Sequence, residues 1–519
     1  MSIPIIDIFA GPGGLGEGFS QQGWKEGNPF FRICLSVEKS YPAFRTLKLR
    51  SFLRQFRYND FPDEYYTFLQ NNENPEKLYT LPKYEQQSRR AEEETWMETL
   101  RQDKSFHIKL DEKITKALQG KKCWVLIGGP PCQAYSLVGR SRNKGIKGYR
   151  PESDERHFLY QEYLRIIDVH RPSVFVMENV KGILSSKING SAIFSKIRKD
   201  LTNPSKNNDC KYRIFSLTKK AKEFDKDGNP VFSDTDFIIK SEKYGIPQSR
   251  HRVILLGIRE DLCPKGYVPP TLVEQNKLSV SDVLNLPPLR SGISRGSYTS
   301  NDWEEAIRSF PLADNIDTIS EIAGKDVTET IKQKLDNIST PPNDMGGNFV
   351  NSTMYRAMNK QLRNWFLDYK INGVLNHSSR THMRADLHRY FYAACFAEIN
   401  EHSPRMHEFP EFLKPNHKNH NSGHFNDRFR VQLADQPSST ITSHIAKDGH
   451  YYIHYEARQC RSLTVREAAR LQTFPDNYFF CGNRTEQYVQ VGNAVPPLLA
   501  AKISCIVKEV LTQGKSNFG

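Results

Sequence analysis

The sequence predicts an α/β fold: a Rossmann-like, mostly parallel sheet flanked by helices, joined to a second, irregular domain. Three observations predict it. Short apolar runs at 3–9, 32–37, 123–127, 173–177 and 253–258 read as buried strands separated by helical patterns. A glycine-rich turn follows the first run directly. Between about 263 and 458 the periodicity weakens, and proline, asparagine and aromatic residues spread throughout. The implied boundaries are 1–262 for the first domain, interrupted by an insertion at 51–102; 263–457 for the second; and 458–519 for a segment returning to the first.

With 519 residues, 38% hydrophobic and 25% charged, the chain has the length and composition for a large globular core. No stretch has the uninterrupted apolar length of a membrane span, and Met1-Ser2-Ile3-Pro4-Ile5 lacks the basic start of a signal peptide. A net charge of +14 favours a polyanionic partner, most simply nucleic acid. The nine cysteines are odd in number and form no C-x-x-C pair, which argues for a reducing, cytoplasmic setting and against disulfides or structural zinc.

Taken in order, the first strand runs into Asp7-Ile8-Phe9-Ala10-Gly11-Pro12-Gly13-Gly14-Leu15-Gly16, a glycine turn that opens a helix. Glycines let the backbone approach a ligand, and a helix start offers unpaired N–H groups. Gly11, Gly13 and Gly16 satisfy G-x-G-x-x-G, and Glu38 follows the second strand at the distance of a ribose-binding acid. The combination fits NAD, FAD or S-adenosylmethionine alike. Residues 51–102 turn polar and charged, with 91–101 reading as a solvated helix. Asp111, ahead of the strand at 123–127, either points a carboxylate at the same ligand or is a surface acid.

That strand ends in Gly128-Gly129-Pro130-Pro131-Cys132-Gln133-Ala134-Tyr135-Ser136. A thiol held by a stiff turn at the carboxyl edge of an open sheet suits a nucleophile, because its approach is fixed before substrate arrives. A small buried apolar cysteine is the plain alternative. Beyond it, Gly139, Gly145 and Gly148 interleave with Arg140, Arg142, Lys144 and Lys147 in a loop able to close over phosphates. A helix at 158–170 precedes the strand at 173–177, which delivers Glu178-Asn179-Val180 to the same edge, a place for a general acid or base. Gln248-Ser249-Arg250-His251-Arg252 enters the strand at 253–258. Alternation puts Arg250 and Arg252 on one face, where two guanidiniums need a carboxylate, and Glu178 is the expected partner.

Eleven of the fifteen histidines fall in the second domain and are expected on a solvated surface facing a polar partner. Their spacings do not repeat and Cys395 stands alone, so no metal site is expected. Near the end, 463–474 reads as an amphipathic helix whose Thr464 and Glu467 form a capping box. Gln490-Val491-Gly492-Asn493-Ala494-Val495-Pro496-Pro497 then turns into a last helix at 498–511 that can close the sheet.

With these blocks in hand, the chain strongly resembles the DNA (cytosine-5) methyltransferases of the bacterial restriction–modification kind. The matching stretches are 7–19, 128–136, Glu178-Asn179-Val180, 248–252, Arg466-Glu467-Ala468-Ala469-Arg470-Leu471-Gln472 with Phe474-Pro475, and 492–497. They occur in the family's order, and the variable stretch falls where the family keeps its target-recognition domain. The resemblance implies the class I methyltransferase fold with S-adenosylmethionine as cofactor. Phe9 would stack on its adenine, while Ala10, Gly11, Gly13, Gly14 and Leu15 would wrap its methionine end. Glu38 would bind the ribose, Asp111 would meet the adenine amino group, and Pro131 and Asn493 would complete the cofactor site. Lys39 departs from the apolar residue the family often places against adenine.

The resemblance also implies the chemistry. The Cys132 thiolate adds to cytosine C6, while Glu178 in its protonated form hydrogen-bonds N3 and offsets the charge that develops. Arg250 and Arg252 would hold the base oxygen and orient Glu178. The base must be flipped out of double-stranded DNA, with Gln133, Ser136, Arg140, Arg142, Lys144 and Lys147 closing behind it. Thr440-Ile441 resembles the short threonine–aliphatic element at the end of the recognition domain, which makes Thr440 a DNA contact. A monomer associated with the nucleoid, with a cognate restriction endonuclease acting separately, is the implied setting. A flavin or nicotinamide oxidoreductase would not bring a cysteine, an acid and two arginines to one edge. The tRNA-modifying branch carries Cys-Phe-Thr where this chain has only Cys395-Phe396-Ala397. A catalytically silent DNA-binding relative is disfavoured because Pro131-Cys132-Gln133, Glu178 and Asn493 are intact.

Overall fold

The computed structural model of the protein describes residues 2–131, 156–188, 191–205, 209–294, 299–352, 358–415 and 427–516. Its centre is a sheet of eight strands among the described residues: β1 (Ile3–Ile8), β2 (Phe31–Glu38), β3 (Thr95–Met97), β4 (Val125–Gly128), β5 (Val174–Val180), β6 (Tyr212–Ser216), β7 (Ile238–Lys240) and β8 (His251–Arg259). Their order is β3-β2-β1-β4-β5-β8-β6, with β7 also pairing β8. The first five are mutually parallel, and β8 runs antiparallel to its three neighbours. Every residue of β1 and β4 is buried, as parallel strands are when helices cover both faces. From β1 the chain winds outward through β2 and β3, then crosses back to β4 on the other side of β1. That reversal opens a crevice beyond the carboxyl ends of β1 and β4.

Helices α5 (Lys104–Leu118), α6 (Arg156–His170) and α7 (Ile193–Thr202) cover one face, burying Phe106, Leu110, Ile114, Tyr163, Ile166, Phe194 and Ile197. The other face is covered by α1 (Gly14–Ser20) and the last helix, α11 (Pro497–Ser516), through Leu15, Phe19, Leu499, Ile503, Val507 and Val510. Each such aliphatic side chain contributes about 1.5–3 kcal/mol on burial. The closing helix expected at 498–511 is therefore present and longer.

The segment 51–102 is not simply inserted between sheet elements. It begins in the last turn of α2 (Tyr41–Leu53), holds α3 (Asp63–Gln70) and α4 (Glu85–Glu94), and joins the sheet at β3, whose Thr95, Trp96 and Met97 pair with Ser36, Val37 and Glu38. The helix expected over 91–101 is corrected accordingly: it stops at Glu94, where the β-favouring Thr-Trp pair joins the sheet.

The stretch after 263 has its own core around α8 (Arg384–Asn400), most of which is buried together with Trp303, Ile307, Ile331, Phe409, Phe429 and Ile453. The solvated histidine surface expected here is corrected by His377, His382, His450 and His454, all buried. The Tyr390 hydroxyl bridges toward the Nδ1 atoms of His450 (2.7 Å) and His382 (3.4 Å), and His377 lies 2.9 Å from both the Thr464 hydroxyl and the Pro287 carbonyl. A further core joins this region to α9 (Val465–Leu471) and α10 (Arg484–Asn493). The capping box of α9 is present: the Glu467 N–H donates to the Thr464 hydroxyl (3.2 Å) and the Thr464 N–H to the Glu467 carboxylate (2.7 Å). No helix among the described residues is long and apolar enough to cross a membrane.

Candidate active site

The glycine turn leaves β1 with three residues in the left-handed region: Phe9 (φ 57°), Gly11 (φ 58°) and Gly13 (φ 94°). The Ala10 N–H donates to the Val37 carbonyl (3.2 Å), and the Gly13 N–H turns back to the Ala10 carbonyl (2.9 Å). Glu38 completes the loop, one carboxylate oxygen accepting from the Gly11 N–H and the other from the Ser40 N–H, each at 2.8 Å. A Cβ added at Gly11 would meet nothing within 4 Å, so the loop's backbone opens onto free space that a ligand can approach. Gly14 and Leu15 sit deeper. A Cβ at Gly14 would come within 2.2 Å of the Val495 carbonyl oxygen, and Leu15 belongs to the core under α11. Phe9 packs at the margin of the opposite core, and Lys39 is exposed.

Beneath the loop, Asp7 is fully buried. Burial pushes its carboxyl up to about 8, and the Arg54 guanidinium, with a smaller contribution from the Gly16 N–H, only partly offsets this. Within α1, buried Glu17 accepts two hydrogen bonds from Arg50, at 2.8 and 2.6 Å, and this pairing holds its carboxyl down against the upward push of burial.

Glu178 projects from the carboxyl end of β5. Its register partner on antiparallel β8 is Ile254, so Arg252, two residues away on the same face, reaches it diagonally. Arg252 Nε lies 2.9 Å from Glu178 Oε1, with both side chains 15% exposed, which leaves the pair accessible to a ligand. Across the β4–β5 step, Gly129 faces the same carboxylate; a Cβ there would stand 2.8 Å from Glu178 Oε2. Asn179 anchors the proline turn by donating to the Pro130 carbonyl at 3.2 Å. Pro131 is the last residue before Cys132, and Cys132, Gln133, Ser136, Arg140, Arg142, Lys144 and Lys147 lie outside the described residues.

Arg250 does not join Glu178 as expected. Arg250 is 2% exposed, and its guanidinium donates to the carbonyls of Ile441 (2.6 Å) and Gly492 (3.1 Å). Burial first, and Arg252 second, push this guanidinium well below the usual arginine value. The physical reason is position: Arg250 lies just before β8, where the chain is clasped between the second domain and α10. Gln248 has the same role, accepting from the Ile441 N–H (2.8 Å) and donating to the Leu471 carbonyl (3.1 Å) and the Gln472 side chain (3.0 Å). The Thr440 hydroxyl donates to the Ser249 carbonyl at 2.6 Å. Asn493 follows Gly492 at the end of α10 and is exposed.

Asp111 belongs elsewhere, and its expected role beside the adenine is corrected. It sits within α5, accepts from Arg165 at 3.0 and 2.8 Å, and lies 2.8 Å from His170 Nε2. His170 precedes the amino end of β5, the edge opposite the glycine loop. Burial raises the Asp111 carboxyl, but Arg165 and His170 outweigh this and hold it below the usual range. Glu98, which sequence reasoning passed over, stands instead at the carboxyl end of β3, and its N–H donates to the Glu38 carbonyl at 3.1 Å. Among the described residues no three histidine, cysteine or acidic side chains are grouped to hold a metal ion.

The arrangement therefore joins an open glycine loop and an acid on one side of the crevice to a carboxylate–guanidinium pair on the other. The model of a family described as C-5 cytosine-specific DNA methylase matches residues 90–508. The type II methyltransferase M.Bpa9945I of Bacillus paralicheniformis is 32% identical over 98% of this chain and 99% of its own length. M.DdeI of Desulfomicrobium norvegicum, also a type II methyltransferase, is 27% identical over 96% of this chain and 87% of its own. Among solved structures, an E. coli prophage-encoded protein described as a DNA modification methyltransferase superposes with a TM-score of 0.50, at 19% identity, over 98% of this chain and all of its own.

Proposed function

The chain belongs to the C-5 cytosine-specific DNA methylases, and from that premise we propose that it transfers a methyl group from S-adenosylmethionine to C5 of a cytosine flipped out of double-stranded DNA, through a covalent bond between Cys132 and C6. The observation that carries this reading is the Glu178–Arg252 pair, 2.9 Å apart and facing Gly129 at the sheet edge that also bears the glycine loop. The donor fits the loop: the backbone beyond Phe9 is open, and Glu38 is held at its flank. When bound, the sulfonium supplies an electrophilic methyl group.

The chain's own residues do the rest. Cytosine C5 is a weak nucleophile until Cys132 Sγ adds to C6 and places electron density on the ring. Glu178, carrying a proton, donates to N3 and offsets that density, while Arg252 fixes the carboxyl and faces the base oxygen. After methyl transfer, loss of the C5 proton and elimination of Cys132 restore the ring. The +14 charge holds the DNA backbone. The type II relatives support a role in a restriction–modification system, in which a monomer in the cytoplasm protects host DNA from a separate endonuclease of the same specificity.

The test is incorporation of labelled methyl groups from S-adenosylmethionine into genomic DNA, followed by bisulfite mapping. Methylation at one recurrent short sequence is expected. The Cys132→Ser variant should lose transfer while keeping its melting temperature and cofactor affinity, since a serine hydroxyl does not readily form the anion. Label entering RNA alone, or transfer surviving in Cys132→Ser, would defeat the reading.

A further inference from the structure

We propose that Tyr478, delivered by the returning C-terminal segment, is a positioning residue for the glycine loop and sets the affinity for the methyl donor. The inference rests on the donor reading above and extends it to a residue more than 450 positions from the loop. Tyr478 is 1% exposed. Its hydroxyl donates to the carbonyl of Pro12, between the two left-handed glycines, and Pro12 is itself buried. A Cβ at Gly13 would stand 2.9 Å from that hydroxyl, so the loop backbone is seated directly on it. Glu38 holds the loop from the opposite side through the Gly11 N–H. Two consecutive residues, Gly11 and Pro12, are thus held by groups from different parts of the chain, and left-handed Gly11 lies between the two anchored groups.

The tyrosine is itself rigidly held. Its ring packs 4.8 Å from the Phe474 ring and 5.0 Å from the Arg50 guanidinium. Its backbone carbonyl accepts from Arg466 at 2.6 Å, and the same guanidinium donates to the Pro475 carbonyl (3.1 Å) and to the Leu375 carbonyl (2.8 Å). Leu375 lies on β9 (Gly373–Ser378), outside the catalytic sheet. Arg466 therefore ties the Tyr478 backbone to β9, and the tyrosine side chain carries its hydroxyl from that fixed backbone to the donor loop.

Deleting the hydroxyl leaves the Pro12 carbonyl buried without this partner and frees the turn, while the ring keeps its packing. By calorimetric titration of the full-length protein with S-adenosylmethionine, Tyr478→Phe is expected to bind about tenfold more weakly, the ratio for the loss of one such bond. Turnover at saturating donor and KM for DNA should stay within about twofold, a split that general loosening would not produce. Tyr65→Phe is the control: its hydroxyl donates to the neighbouring Asn477 carbonyl at 3.0 Å without touching the loop, so it should lose melting temperature but not donor affinity. Unchanged affinity in Tyr478→Phe, or an equal loss in Tyr65→Phe, overturns the proposal alone. Failure of the parent protein to bind S-adenosylmethionine overturns it together with the donor reading.

Discussion

Glu178 and Arg252 meet because antiparallel pairing brings Ile254 opposite Glu178 and leaves Arg252 on the adjacent diagonal. Alternation along Arg250-His251-Arg252 showed that the two arginines share a face, but not what each would touch. The partners of Arg250 lie 191 and 242 residues away in sequence, beyond the reach of any local pattern. The two variants should therefore fail differently. Arg252→Ala is expected to lower turnover by about 10²–10³-fold, as loss of a preorganised donor does, with donor affinity and melting temperature near the parent's. Arg250→Ala strips a partner from two buried carbonyls and should cost about 2–4 kcal/mol of stability before any effect on chemistry. Urea unfolding and steady-state kinetics on both proteins check this, and a stable, slow Arg250→Ala would reverse the assignment.

At the scale of elements, five of the eight strands and the glycine turns were legible because apolar runs and Gly-Pro punctuation are local signals. Strands β3, β6 and β7 were not. Three residues cannot display a period, and Thr95-Trp96-Met97 follows a glutamate-rich helix that dominates any window. Asp111, whose role beside the adenine the resemblance implied and for which a surface acid was the alternative, lies on the next helix after β3 and pairs with Arg165 and His170. The segment before β3 also braces the second domain. The Tyr66 hydroxyl donates to Asp368 at 3.0 Å, Asn59 donates to the Leu367 carbonyl at 3.0 Å, and Asn477 donates to both Asn59 (2.7 Å) and Asp368 (3.3 Å). Burial raises the Asp368 carboxyl, which makes these donors more valuable to it. A double-mutant cycle of Tyr66→Phe and Asp368→Asn should show a coupling of about 1 kcal/mol in urea unfolding. Additive effects would mean that the segment packs without bracing.

For the whole molecule, the six ordered blocks exposed the family, while the second domain withheld its interior because buried histidines look the same in sequence as solvated ones. Their burial has a measurable consequence. Burial lowers His377 and His454 from 6.5 to about 4, so between pH 6.5 and 4 the unfolded chain takes up protons that the folded chain refuses. Each group then removes about 1.4 kcal/mol of stability per pH unit of acidification in that window. Asp7 acts in the opposite sense. Its folded value near 8, against 3.8 when unfolded, costs stability as pH rises through that interval. Two histidines outweigh one aspartate below pH 6.5, and the cost of the aspartate continues above it, so melting temperature should peak near pH 6.5. Asp7→Asn should flatten the fall between pH 6.5 and 8 and steepen the acid side, where Asp7 no longer opposes the histidines; a profile identical to the parent's would remove Asp7 as its cause.

The packing of α1 against α11 carries a further implication for how the protein is made. Gly14 and Pro497, the first residues of these helices, emerge from the ribosome about 480 residues apart. At roughly 5–20 residues per second the interval is on the order of half a minute to a minute and a half. Throughout it, Ile3, Ile5, Phe19, Val125 and Val174 lack the cover of Leu499, Ile503 and Val507. Translation that stops early thus releases a chain with its glycine loop fully encoded and one face of its sheet bare, a species for chaperones or proteases.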